Sequence, residues 1–232
     1  MTHHDQELND LKQALITMGG HAESAVNKAI RSLVERNDEL AREAMDGDEA
    51  IDRLEMEIDE AAVLLLSKAP LASDLRLITV AMKLSHDLER VGDEATTIAR
   101  RALELNQEPQ LKPYIDIPHM ARLALEMLKE ALDAFVNREP ARARAVVPRD
   151  KEVDALNKQL HRELASYMVE KPTTISRCLN LMVISKALER IADHATNVAE
   201  EVVYLYEGRD IRHTGKSGGL PAPRVSISGM IT

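Results

Sequence analysis

Apolar residues recur along this chain at alternating three- and four-residue intervals for many turns at a time, and small clusters of proline and glycine divide the runs. That period lays one apolar stripe along a helix. Six helical segments follow from it. The first covers residues 8–35, with an interruption expected at Gly19-Gly20, and the second covers residues 39–67, stopping before Pro70. The third covers residues 73–105, with Ser73 placed to cap its first turn. A linker, residues 106–118, holds Pro109, Pro113 and Pro118. The fourth segment covers residues 119–137, the fifth residues 140–170 and the sixth residues 174–207. Pro148 should bend the first turns of the fifth, and Pro172 should end it. The second, third, fifth and sixth segments approach ~30 residues, roughly 45 Å at the rise of an α-helix. Short connections between long helices make antiparallel neighbours.

The pattern is written twice. Leu88-Glu89-Arg90-Val91-Gly92-Asp93-Glu94-Ala95 returns 100 residues later as Leu188-Glu189-Arg190-Ile191-Ala192-Asp193-His194-Ala195. Met82, Ser85, Thr96 and Ala99 return in step as Met182, Ser185, Thr196 and Ala199. Nearer the start of each copy the offset is 102, pairing Val34 with Val136, Ile51 with Val153, Asp52 with Asp154, Leu54 with Leu156 and Pro70 with Pro172. The expected fold is all-α: two pseudo-symmetric three-helix bundles, residues 1–106 and 107–208. Residues 209–232, rich in glycine and proline, read as a flexible tail.

Stepping at ~100° per residue round the third segment puts Leu84, Leu88, Val91, Ala95, Ile98 and Ala102 on the core stripe. Ser85, Gly92, Thr96 and Ala99 form a shoulder of small residues, and Glu89 and Asp93 lie beyond it. The sixth segment repeats this with Leu181, Ile184, Leu188, Ile191, Ala195, Val198 and Val202 as core and Glu189 and Asp193 on the flank. The second segment carries Asp48, Asp52, Glu55 and Asp59 beside its core residues Ile51, Leu54, Ile58 and Leu65. The matching strip of the fifth is Asp150, Asp154, Asn157 and His161. With segments two and three side by side, and five and six likewise, the acidic flanks face each other.

Such gatherings are costly without a cation. Like charges four residues apart destabilise a helix by ~0.2–0.5 kcal/mol per pair, and larger clusters raise carboxyl pKa values or need a counter-ion. Oxygen donors suit hard divalent cations, and an imidazole extends the choice to iron, zinc or manganese. The small shoulder leaves room for a multinuclear cluster. The candidate metal ligands are therefore Asp48, Asp52, Glu55, Asp59, Glu89 and Asp93 in the first half, and Asp150, Asp154, His161, Glu189 and Asp193 in the second. The competing reading is a pair of solvated acidic faces, partly neutralised by Arg53, Arg90 and Arg190. Recurrence in both copies favours the metal. A ferritin-like di-iron enzyme needs Glu-x-x-His on two helices, and no histidine here has a glutamate three residues before it. His21, His86 and His119 read as polar surface residues.

Composition narrows the picture further. The 232 residues include four tyrosines, one phenylalanine and no tryptophan, which favours helices over sandwiches or barrels. A net charge of −9 argues against coating nucleic acid and suits a protein that handles cations or basic partners. Cys178 is the only cysteine, consistent with a reducing cytosol. The polar first residues hold no signal core, and no uncharged run approaches the ~20 residues of a membrane span, so membrane contact would go through a partner. No phosphate loop, nucleophile motif or paired-cysteine site is visible. A carboxylate-bridged, metal-dependent enzyme remains the alternative to an adaptor, with or without metal.

The doubled Leu-Glu-Arg-(Val/Ile)-(Gly/Ala)-Asp, together with Ala72-Ser73-Asp74-Leu75-Arg76, Ile58-Asp59-Glu60-Ala61 and Gly208-Arg209-Asp210-Ile211-Arg212-His213, resembles the PhoU family over nearly the whole chain. The resemblance implies a cytoplasmic, homodimeric, non-enzymatic negative regulator of the phosphate-starvation response. It implies a link between the ATPase side of a phosphate ABC transporter and a sensor histidine kinase. It also implies iron or zinc clusters on the Glu/Asp-x-x-x-Asp motifs, here Glu89/Asp93, Glu189/Asp193 and Glu55/Asp59. Asn157/His161 departs from that motif.

Overall fold

The computed structural model describes residues 3–68 and 71–212, and every regular element among them is helical. The helices are α1 (His3–Val34), α2 (Asp38–Asp46), α3 (Asp48–Leu66), α4 (Ala72–Asn106), α5 (Asp116–Asn137), α6 (Pro140–Val146), α7 (Asp150–Glu170) and α8 (Ile175–Glu207). Each half has three arms, with the middle arm broken in two: α1, α2 with α3, and α4, then α5, α6 with α7, and α8. Within the first half α1 and α3 pack on α4, and within the second α5 and α7 pack on α8. The halves join along α4 and α8, and again along α1 and α5. The all-α, doubly three-armed fold is the expected one. Among the described residues no helix is long and apolar enough to cross a membrane.

Several boundaries differ from the sequence reading. α1 runs unbroken through Gly19-Gly20. Glycine inside a helix costs roughly 0.5–1 kcal/mol, and here the missing side chain has a use. A Cβ on Gly19 would lie 2.6 Å from Leu132 Cδ1 of α5, so the glycine lets the two halves close on each other. The single helix expected over residues 39–67 is instead α2 and α3, joined at Gly47, whose N–H donates to the Glu43 carbonyl at 3.2 Å. The second half breaks at the equivalent place for a different reason. Pro148 lies in a 3₁₀ turn, Val147–Arg149, between α6 and α7. Both α3, at 19 residues, and α7, at 21, fall short of the expected length, while α4 and α8 reach 35 and 33.

Ser73 does not cap α4. The capping position belongs to Leu71, which offers no side-chain acceptor, and the Ser73 hydroxyl donates to Asp74 Oδ1 at 3.2 Å. Arg76 reaches the far end of α8, over the Tyr204 ring and against Gly208, which holds a left-handed φ of 67°. The backbone itself keeps the repeat: Arg36 after α1 and Arg138 after α5 both adopt left-handed φ, 53° and 59°.

The core stripes read from the sequence on α4 and α8 are buried throughout. They meet Leu15, Met18 and Leu33 of α1, and Met120, Met127 and Phe135 of α5, in one contiguous cluster. Residues 209–212, read as the start of the tail, are docked rather than loose. Ile211 packs against the core and Arg212 pairs with Glu201 at 3.2 Å. The remainder of the expected tail, residues 213–232, and the break at Pro70 lie outside the described residues.

Candidate metal centre

The first acidic patch depends on the close approach of α3 to α4. Gly92 makes that approach feasible, since a Cβ there would sit 2.8 Å from Ile51 Cδ1 and 3.1 Å from Asp48 Oδ1. The crossing sets Glu55 of α3 opposite His86 and Glu89 of α4. One ligand-type atom from each of these three residues lies within 4.8 Å of the other two. His86 Nδ1 stands 3.5 Å from Glu55 Oε1. Glu89 Oε2 is buried without a hydrogen bond, its nearest cation being Arg90 Nε at 3.4 Å. A buried carboxylate oxygen lacking a donor is unfavourable, and a cation held by the three side chains would offset that. Burial pushes the Glu89 carboxyl pKa up, and the neighbouring Asp93 charge adds to the rise.

The other predicted ligands of this half surround the group. Asp48 is half-buried, and its pKa is raised by desolvation, then by Asp52 and Asp93. Asp93 Oδ2 accepts from Arg90 Nη1 at 3.0 Å. Asp52 and Asp59 are exposed on α3, and Asp59 lies outside the three-residue group. Two carboxylates and an imidazole are a donor set for zinc, iron or manganese, with water completing the shell. No group of three ligand atoms forms around Asp48 and Asp93 among the described residues.

His86 was not expected here. It carries a signal all the same: it precedes Glu89 by three residues, the reverse order of the Glu-x-x-His pattern, so both side chains leave α4 on one face.

The second patch is built differently. Asp150 and Asp154 of α7 gather with Glu189 and Asp193 of α8, and burial followed by the neighbouring carboxylates raises the pKa of Asp150 and of Asp193. Asp150 Oδ1 is buried without a hydrogen-bond partner, and Glu189, itself buried, pairs with Lys186. Desolvation comes first for Asp193 too, although the residue is exposed overall, followed by the Glu189 charge. Asp154 faces Lys158 at 3.5 Å. His161 belongs to no group of three ligand atoms among the described residues. Its Nε2 lies 3.3 Å from the Met182 carbonyl, which only accepts, so that nitrogen carries the proton and Nδ1 is the atom left to a metal. The buried Asn157, in the place of Glu55, accepts from the Ser185 hydroxyl at 2.5 Å. Among the described residues, no group of three ligand atoms as tight as that of the first half forms here.

The second patch is therefore the place where uncompensated charge shows in stability. Burial, then Asp193 and Asp154, push the Asp150 carboxyl up to about 6. Unfolding returns it to the ordinary value near 3.9. The folded chain thus holds this proton more tightly, and the ionised form opposes folding above pH 6. That opposition disappears as the pH falls from about 6 to about 4. That difference in proton affinity corresponds to at most ~3 kcal/mol, and solvent screening of a half-open site lowers this to about 1 kcal/mol. Asp150→Asn should gain that stability at pH 7.5 in chelator and lose the gain by pH 4, measured by chemical denaturation. The same gain at both values would show that the charge is not its source.

The comparisons with known proteins agree with this architecture. The PhoU domain model matches residues 15–102 and 117–202. The phosphate-specific transport system accessory protein PhoU homolog of Pseudomonas aeruginosa is 42% identical over 222 residues, covering 93% of this chain and 92% of that protein. Its counterpart in Aquifex aeolicus is 41% identical over 209 residues, covering 90% and 95%. Among solved structures, the crystal structure of PhoU from Pseudomonas aeruginosa superposes with a TM-score of 0.86 at 42% identity, covering 88% of this chain and 99% of that one. The phosphate transport system regulatory protein PhoU from Streptococcus pneumoniae gives 0.83 at 29% identity, covering 90% and 99%. With its domain model matched once in each half and relatives this similar along most of their length, the chain belongs to the PhoU family.

Proposed function

We propose that this protein is a cytoplasmic negative regulator of phosphate uptake and of the phosphate-starvation response. It acts as a metal-binding, homodimeric adaptor between the ATPase side of a phosphate ABC transporter and a sensor histidine kinase. A role in the phosphate system is supported by relatives named as accessory and regulatory proteins of phosphate transport. The observation that carries the metal is the convergence of Glu55, His86 and Glu89, with an oxygen of Glu89 buried and without a donor. Cations held there would neutralise the acidic face and fix α3 against α4, presenting one rigid surface to a partner. The relatives' names as accessory and regulatory proteins favour an adaptor over an enzyme, and the reading includes no nucleic acid.

The test pairs elemental analysis of protein purified without a histidine tag with capture of the two partners. Iron or zinc should co-purify with the chain, and both the kinase and the transporter ATPase should be retained less strongly after chelation. Equal capture with and without chelator would leave a metal-free adaptor. Metal-dependent turnover would instead favour the carboxylate-bridged enzyme.

A further inference from the structure

The internal repeat allows one half of the chain to be read against the other. Two equivalent grooves flank the seam between α4 and α8. In the first, Met82, Lys83 and His86 of α4 lie beside Glu201 of α8. In the second, Met182, Val183 and Lys186 of α8 lie beside Arg101 of α4. Each pair of positions is 100 residues apart.

The chain itself enters the first groove. The segment that follows α8 places Arg212 Nη1 3.2 Å from Glu201 Oε1, and Lys83 Nζ reaches the same oxygen at 3.0 Å. Glu201 is only 4% exposed beneath them, and Ile211 of the same segment packs against the core. In the second half the corresponding segment goes elsewhere, because it must lead into α5. Lys112, the residue 100 positions before Arg212, pairs with Asp116 at 3.1 Å and Glu163 at 2.6 Å. The groove it leaves is open, with a volume of about 630 Å³. Leu179 and Val183, 50% and 36% exposed, form its apolar wall, and Ile175 extends their stripe at 42%.

One charge of the second groove is inverted relative to the first. The partly exposed Arg101 stands in the place of the buried Glu201, and Val183 in that of Lys83. Arg101 contacts Glu104 at 2.9 Å in an exposed pair, a weak competitor for an incoming carboxylate. Lys186, which also contacts Glu189, adds positive charge to the rim.

We propose that this second groove docks an extended segment of a partner protein. Such a segment lays an apolar side chain on Leu179 and Val183 and offers a carboxylate to Arg101. A second copy of this chain is the poorer occupant: its docked segment carries Arg212 at the matching position, and residues 213–232 contain neither Asp nor Glu. The proposal rests on the adaptor reading only in supposing that a partner exists.

The probe is a labelled peptide copying residues 207–213 with Arg212→Glu, titrated into the full chain carrying ¹³C-methyl methionine. Saturable binding should move the Met182 methyl signal and leave that of Met82 in place. The unaltered peptide should bind at least about tenfold more weakly, and Arg101→Glu, a change at the surface, should reverse that preference. Equal binding of the two peptides, a response confined to Met82, or no binding would each overturn the groove. Such a failure beside intact partner capture and metal content would remove the groove alone and leave the adaptor reading standing.

Discussion

His86→Ala should weaken binding of zinc by about 100-fold or more, measured by competition with a chromophoric chelator, while His161→Ala leaves it unchanged. Loss of an outer-shell partner already costs 10–100-fold in typical sites, and His86 would be the only nitrogen donor beside Glu55 and Glu89. The ~100-fold loss corresponds to about 2.7 kcal/mol. His161 is the control because it lies on α7 in the other half and outside this group. Asp59→Asn, at an exposed position outside the group, should change the affinity by less than about threefold, within the range of screened surface charges. Glu89→Gln should behave like His86→Ala. In addition, carboxylate and imidazole ligate only when deprotonated. Because the Glu89 pKa is raised, affinity should decline on acidification from a higher pH than an ordinary carboxylate would set. Equal zinc affinity for the parent and His86→Ala would remove this centre and leave the acidic face to repulsion and solvent.

How much of this was legible follows from what each level of the sequence encodes. The apolar period and the 100-residue echo gave the arms, the core stripes and the pairing of α3 with α4 and of α7 with α8. These depend on local spacing repeated many times, which a sequence states directly. The misreadings lie where one residue's tertiary partner decides. Gly19-Gly20 suggests a helix stop, yet Leu132 packs where a side chain would stand. Gly47 lies in a helical-looking run and divides it, matched in the other half by Pro148. The same holds at the sites. Glu55 and Glu89 were visible as flank residues, but His86 joins them only through the register of α3 on α4. His161 stands in a carboxylate's place, and its Nε2 contact with the Met182 carbonyl, which leaves Nδ1 as its ligand atom, is set by the packing of α7 on α8. The docked Arg212 could not be read at all, because its partner Glu201 is selected by the way the chain turns after Gly208.

Phe135→Ala should cost about 3–5 kcal/mol, the range for truncating a buried aromatic. Phe135 is the chain's only phenylalanine and, at 2% exposed, heads the large side chains of the core. It sits near the end of α5, where that helix meets α8: the Tyr206 hydroxyl of α8 donates to the Phe135 carbonyl at 2.7 Å. That bond uses the backbone and survives the substitution, so the loss isolates the ring's packing from the hydrogen bond. Tyr206→Phe provides the complement, removing the bond while keeping the ring, and should cost about 1 kcal/mol. In a protein of this size a loss of 3–5 kcal/mol lowers the melting temperature by roughly 10 °C. The centre at Glu55, His86 and Glu89 lies in the other half, between α3 and α4. Zinc affinity of the still-folded Phe135→Ala protein should therefore match that of the parent, because distant independent sites add. A matched fall in stability and affinity would instead mean that the two bundles act as one body, with the seam of α4 and α8 carrying strain from the second core to the metal.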